Sequence, residues 1–384
     1  MKGKRGLCHM VCDQVASSTS CPVSERLLKG RGMDKLNIAV VGAGRRAAGS
    51  WLPTISVLND QLNLLAVCNT GAPRGEEQAK KYGVNWHRNV EEMLDKEKPD
   101  LVAIVINPAQ THVVARAALE RGISIITETP VASTLEDADM MIGLAREKGA
   151  KIEVAENLYR MPSERIKREL ILNGVFGKVW RGHNNSRTHN YHAVSLVRSY
   201  IGFDVPIKRV IGVQGDFTVE PHEYRGRAAN SERSRHAIFF FENGALGFSH
   251  FTSLAFGSPL RGVSSTEFYG EKGMAVGEQL FVLKDERTRQ PININRVTCN
   301  VDGMEVLDKF VADTDPEIVW DNPFRNYRMS DGMITIASEL ASIMKAVRED
   351  VEPEYGAVNG RVDRQIDLAI SESHRNGNVP VEIS

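Results

Sequence analysis

The first residues able to do chemistry form a glycine turn. Gly42-Ala43-Gly44-Arg45-Arg46-Ala47 has the spacing G-x-G-x-x-A. Gly42 suits a tight turn, Gly44 lets a phosphate approach bare backbone, and Ala47 is small enough for a helix to pack on a sheet. At a helix start, free N–H groups and the helix dipole attract a diphosphate. A ligand-free strand–helix turn would use the same glycines, so the surroundings must decide. A second group gathers His183, Arg187, His189 and His192 with Asn184, Asn185, Asn190 and Tyr191. An imidazole can carry a proton near neutral pH, and amides can bind hydroxyls or close a loop. The spacing His-x5-His-x2-His invites a metal, but no Asp or Glu lies between Arg181 and Ile201. No metal is expected.

These residues need elements to hold them. LNIAVVG (36–42) reads as a buried strand leading into the glycine turn, and 45–58 has a helical period. Further strands are predicted at 62–68, 101–106, 123–128 and 151–156. Helices are predicted between them at 75–83, 90–97, 109–122 and 135–149. This alternation predicts right-handed crossovers and a doubly wound parallel sheet, an α/β Rossmann domain. In that setting the turn is expected to bind a dinucleotide. An acid ending the second strand would bind the adenosine ribose and repel a 2′-phosphate. Asn69 stands there instead, with Thr70 and Arg74 nearby. That favours NADP slightly over NAD, although Asn69 could equally cap a turn.

Beyond residue 158 the texture changes. Helices are predicted over 163–174, with Ser163 as cap and Gly174 at the end, over 191–202 and over 333–350. Strand-like segments occupy 236–252, 265–278 and 291–303, and Asn243-Gly244 signals a hairpin. The expectation is an α+β domain with a mostly antiparallel, open-faced sheet. Phe239, Phe240 and Phe241 should alternate faces, with core on one side and a subunit contact on the other rather than an aromatic sugar platform. The domain plan is therefore a flexible tail (1–34), an NAD(P)-binding Rossmann domain (35–158), and a substrate-binding and oligomerisation domain (159–384).

Composition limits the alternatives. The 384 residues carry 48 Lys+Arg against 49 Asp+Glu, so no global charge draws the chain to nucleic acid or an acidic membrane. No apolar run approaches the roughly 20 residues of a membrane helix. Five cysteines are too few for a disulfide scaffold. Cys8, His9, Cys12 and Cys21 match no zinc spacing. The basic start lacks the continuous apolar stretch of a secretory signal, and Met33 stands just before the first strand. The expected location is cytoplasmic.

Further landmarks carry a resemblance. Asn107-Pro108 ends the strand at 101–106, with His112 shortly after. Glu128-Thr129-Pro130 follows the next strand, and then come Glu156-Asn157-Leu158-Tyr159-Arg160, His192 and Gly202. Their order resembles the Gfo/Idh/MocA family, named for glucose–fructose oxidoreductase and inositol 2-dehydrogenase, over nearly all of 36–384. The resemblance implies NAD or NADP in the Rossmann domain and a sugar or cyclitol held against the second domain's sheet. The substrate is then a small, polyhydroxylated molecule. It also implies homo-oligomers paired through such sheets. Asn107 and Pro108 would line the cofactor pocket, Glu128 would face the nicotinamide ribose, and the bond before Pro130 would be cis.

The departures bear on mechanism. The family's Glu-Lys-Pro is Glu128-Thr129-Pro130 here, and its Asp four residues before the histidine is Thr188. Only His192 of the usual Lys–Asp–His set remains. Alcohol oxidation by hydride transfer needs a base for the hydroxyl proton and donors for the developing alkoxide. His192, in the first turn of its helix, is expected to be a neutral base because the helix N-terminus disfavours imidazolium. Thr129 and Tyr191 are the candidate replacement donors. The expected catalytic set is His192, Tyr191 and Thr129. The expected cofactor set is Gly42, Gly44, Arg45, Arg46, Ala47, Asn69, Asn107, Pro108, His112, Glu128 and Thr129. Two other activities stay open: a transient-redox enzyme that retains its cofactor, and a catalytically weak NAD(P) sensor.

Overall fold

The computed structural model describes residues 35–383. The expected tail, with Cys8, His9, Cys12, Cys21 and Met33, falls outside the described residues. In chain order the first half contains β1 (Leu36–Val41), a π-helical turn (Ala47–Trp51) running into α1 (Leu52–Val57), β2 (Leu62–Cys68), α2 (Ala72–Tyr82) and β3 (Asn85–His87). Then come α3 (Val90–Glu97), β4 (Leu101–Ile104), α4 (Pro108–Glu120), β5 (Ser124–Thr127), α5 (Leu135–Lys148) and β6 (Ile152–Val154). The strands form one parallel sheet in the order β3-β2-β1-β4-β5-β6. Ile38, Ala39 and Val40 are fully buried, as a sheet covered on both faces requires. Local signals set the helix ends. The Asn89 and Thr134 side chains accept from the backbone N–H groups of Glu92 and Asp137, and Gly83 and Gly149 close their helices in the left-handed conformation.

The second half contains α6 (Pro162–Leu172), β7 (Val179–Asn185), α7 (Asn190–Ile201), β8 (Ile207–Tyr224), β9 (Arg227–Phe241), β10 (Leu246–Thr252), β11 (Ser265–Gly270) and β12 (Gly273–Val276). It continues with β13 (Gln279–Leu283), β14 (Arg289–Ile292), β15 (Ile294–Val301), β16 (Met304–Ala312) and β17 (Ile318–Asp321). It ends with α8 (Asp331–Glu349), α9 (Ala357–Arg375) and β18 (Val381–Glu382). A nine-stranded sheet runs β14-β13-β12-β11-β7-β10-β9-β8-β18, antiparallel except for the β7–β10 pair. β15, β16 and β17 form a separate small sheet that the strand pattern did not foretell.

Phe239 and Phe241 are buried with Val194, Val197 and Ile370 under α7 and α9, while Phe240 points to the other face beneath Arg209. Ser163 does not cap α6: the helix opens with Pro162 at its first position, after Met161, so Ser163 sits inside the first turn.

The last two long helices return to the Rossmann sheet. α8 covers one face beside Trp51, Leu52 and Ile55, opposite the layer made by α3, α4 and α5. α9 packs so closely on β6 that a Cβ on Gly360 would lie 2.8 Å from Val154 Cγ2. Arg198 on α7 donates to Asp363 at 2.8 Å and to the Asn359 side chain at 2.8 Å, both on α9, and to Tyr355 at 3.2 Å. This buried network fixes α7, and with it the histidines at its N-terminal end.

Candidate active site

The strand order reverses between β1 and β4, the place where open α/β sheets leave a crevice beyond their carboxyl ends. A cleft of about 480 Å³ lies there, lined by Gly42, Ala43, Gly44, Arg45, Arg46, Asn69, Val105, Ile106, Asn107, Glu128 and Thr129. Gly42 has φ +110°, and a Cβ on it would fall 2.2 Å from the Val105 carbonyl oxygen. Only glycine permits this turn. Nothing lies within 4 Å of the Cβ position at Gly44, so bare backbone faces the cleft. The Asn69 side chain accepts from Ala43 N–H at 3.2 Å and donates to the Gly71 carbonyl at 2.7 Å, tying the end of β2 to the glycine turn.

The remaining expected cofactor residues fall elsewhere. Ala47 is fully buried against the sheet. Pro108 opens α4 behind the Asn107 cap, and His112 lies one turn on, its Nδ1 3.7 Å from Asp137. Neither lines the cleft. Thr70 and Arg74 are exposed beside the N-terminus of α2. Glu128 borders the cleft, and its Oε1 accepts from Arg46 Nε at 2.5 Å and Trp51 Nε1 at 2.7 Å. The π-helical turn presents that indole.

The second cluster adjoins the first through Thr129. The Thr129-Pro130 bond is cis. Thr129 Oγ1 lies 3.4 Å from His192 Nε2, and the Tyr191 hydroxyl donates to the Thr129 carbonyl at 3.4 Å. His192 Nδ1 faces the Glu156 carboxylate at 2.7 and 2.9 Å. Glu156 is nearly fully buried just after β6, and His192 is half-buried. This pair works against the expectation of a neutral imidazole. Burial opposes the charge on His192, but the Glu156 carboxylate more than offsets it and raises the pKa above the usual histidine value. Burial pushes the Tyr191 phenol up to about 12, so it stays a donor.

Glu156 was visible in the sequence as a landmark without a role. It lies 36 residues from His192, and no local spacing joins them. Thr188 is buried in a loop closed by Asn184: its N–H donates to Asn184 Oδ1 at 3.0 Å and its carbonyl accepts from Nδ2 at 2.8 Å. Asn184 is thereby a loop-closing residue. Arg187 is exposed near Met161. His183 stacks on Phe248 at 4.6 Å on the opposite face of the large sheet and takes no part in the cluster. Among the described residues, no group of three or more His, Cys, Asp or Glu could hold a metal.

The glycine-turn cleft and the histidine cluster thus meet at Thr129. Residues 36–156 match the family model GFO_IDH_MocA, described as the oxidoreductase family with an NAD-binding Rossmann fold. D-glucoside 3-dehydrogenase of Escherichia coli (strain K12) is 31% identical over 148 residues, covering 38% of this chain and 41% of that enzyme. The chain thus spans about two-fifths of the length of that curated relative. Among solved structures, a levoglucosan dehydrogenase in complex with NADH and levoglucosan superposes with TM-score 0.68 at 18% identity, covering 91% of this chain and all of that one. The WlbA dehydrogenase of Bordetella pertussis, with NADH and UDP-GlcNAcA, gives 0.64 at 17%, covering 91% and 99%. These two likenesses extend the shared fold across both halves. Over residues 36–156 the chain thus matches the NAD-binding Rossmann domain of the Gfo/Idh/MocA family.

Proposed function

We propose that the protein is an NAD(P)-dependent oxidoreductase that interconverts an alcohol and a ketone on a sugar-like or cyclitol-like molecule. The observation that carries this reading is the contact of Thr129, on the wall of the glycine-turn cleft, with His192. The cleft fits a dinucleotide: the exposed backbone at Gly44 leaves room for a diphosphate, and the turn is closed by Ala43 N–H on Asn69. When bound, the nicotinamide supplies or accepts the hydride.

The chain's own residues do the rest. Glu156 fixes the imidazole through Nδ1–H, leaving Nε2 as the exchangeable site beside Thr129. For ketone reduction, His192 donates a proton to the developing alkoxide, and its positive charge stands in for the missing lysine. For alcohol oxidation, the same Nε2 takes the hydroxyl proton. Thr129 borders both clusters and orients the substrate oxygen. The Glu156–His192 pair supplies a proton carrier that a mere cofactor sensor has no use for. Asn69 places no carboxylate against a 2′-phosphate, which keeps NADP slightly ahead of NAD. The outer face of the large sheet, with Ile238, Phe240 and Phe248, is the surface through which copies would assemble. Among the described residues, no helix is long and apolar enough to cross a membrane.

The test is to titrate the full chain with NADH and NADPH, then offer a panel of sugars, cyclitols and their ketones. Binding of at least one dinucleotide and turnover strongly reduced in His192→Asn is the expected result. No binding of either dinucleotide overturns the reading.

A further inference from the structure

His189 stands immediately before α7, three residues ahead of His192. The two ring centroids are 5.5 Å apart and nearly perpendicular. A molecule held at His192 Nε2 is therefore within reach of His189. The two imidazoles have opposite surroundings. His192 has the Glu156 carboxylate. Among the described residues no carboxylate pairs with His189: burial and then the neighbouring His192 hold its pKa below the usual value, against a weaker pull from the Asp367 and Glu156 carboxylates. His189 is thus a neutral imidazole with one N–H. Among the described residues its Nδ1 is buried and has no hydrogen-bond partner. Hydrogen-bonding capacity left unused beside a reactive group calls for a ligand.

The walls define what that ligand is. His189 makes edge contacts with Phe251 at 5.4 Å, Tyr191 at 6.1 Å and Phe256 at 6.3 Å. Phe256 is 43% exposed, although it packs only 5.7 Å from Phe251. An aromatic wall suits the C–H face of a saturated ring and offers nothing to a carboxylate or phosphate. Arg235 is engaged by Asp367 at 2.6 Å and Ser371 at 2.9 Å.

We propose that His189 is a substrate-recognition residue that hydrogen-bonds a hydroxyl of an uncharged, ring-shaped polyol whose apolar face lies on Phe251 and Phe256. This rests on the oxidoreductase reading and narrows it: sugar phosphates and uronates are excluded as substrates. His189 sets affinity and His192 carries the proton.

The experiment uses the full chain and four probes: levoglucosan and 1,5-anhydro-D-glucitol as neutral rings, D-glucuronate and D-glucose 6-phosphate as charged ones. Binding is measured by calorimetry with and without NADH or NADPH, and turnover by nicotinamide absorbance. A neutral ring should bind and the charged probes should not. His189→Phe keeps the ring packing and removes the donor. It should raise KM or Kd for the neutral ring about tenfold, the loss of one hydrogen bond, with kcat and dinucleotide affinity little changed. His189→Gln should recover part of the affinity, a rescue that a purely packing role does not give. Unchanged KM in His189→Phe, preference for a charged probe, or no binding of either neutral ring overturns the proposal. If neither dinucleotide binds the wild-type chain, the oxidoreductase reading falls instead. A His189-dependent ring affinity measured without dinucleotide would then still stand.

Discussion

At the scale of single residues, the site turns on His192 and its buried partner. Because Glu156 raises the imidazole pKa, the proton is held to higher pH than on an ordinary histidine and is lost as pH rises through that raised value. Ketone reduction should therefore fall across that range while alcohol oxidation rises. In Glu156→Gln the carboxylate is gone, so both limbs should move to lower pH; rate profiles of the two variants side by side check the sign. His192→Asn should lower turnover by about 10²–10⁴-fold, the usual worth of a positioned acid–base group, with dinucleotide affinity retained in a fluorescence titration. Gly42 offers a different test. Its left-handed backbone and the Val105 carbonyl 2.2 Å from a Cβ leave alanine no place. Gly42→Ala should lose about 1–3 kcal/mol of stability from backbone strain and weaken dinucleotide binding, read by melting temperature and titration.

At the scale of elements, α7 matters because it carries the histidines, and Arg198 anchors it. Its guanidinium meets Asp363, Asn359 and Tyr355 in the interior. Arg198→Leu leaves Asp363 buried without its cation, a change that costs about 3–5 kcal/mol; chemical denaturation measures it. The Rossmann elements were legible because their signals are local: a short apolar run, a capping side chain, a closing glycine. The glycine turn and Asn69 were legible for the same reason. His192 was found through its place in a family pattern, but its carboxylate partner was not, since Glu156, just after β6, meets it only in the folded chain. α9 escaped notice because AVNGRVDRQIDLAISESHR carries Gly360 and charged residues through its length, and its apolar stripe is thin. The small sheet of β15, β16 and β17 was hidden because strand pairing across the chain leaves no mark in any one segment.

At the scale of the molecule, binding and folding are linked. A dinucleotide that binds only the folded chain should raise stability by about 2.7 kcal/mol at a hundred times its Kd. Melting curves in NADH and NADPH rank the two cofactors without any substrate, and the larger shift names the preferred one. The return of α8 and α9 to the parallel sheet carries a practical meaning for anyone cutting this gene. A fragment ending near residue 158 would look complete by its family match, yet it would strip away the hydrophobic cover contributed by the final fifty-odd residues. Such a piece should precipitate, and adding residues 331–383 back on a tether should restore its solubility.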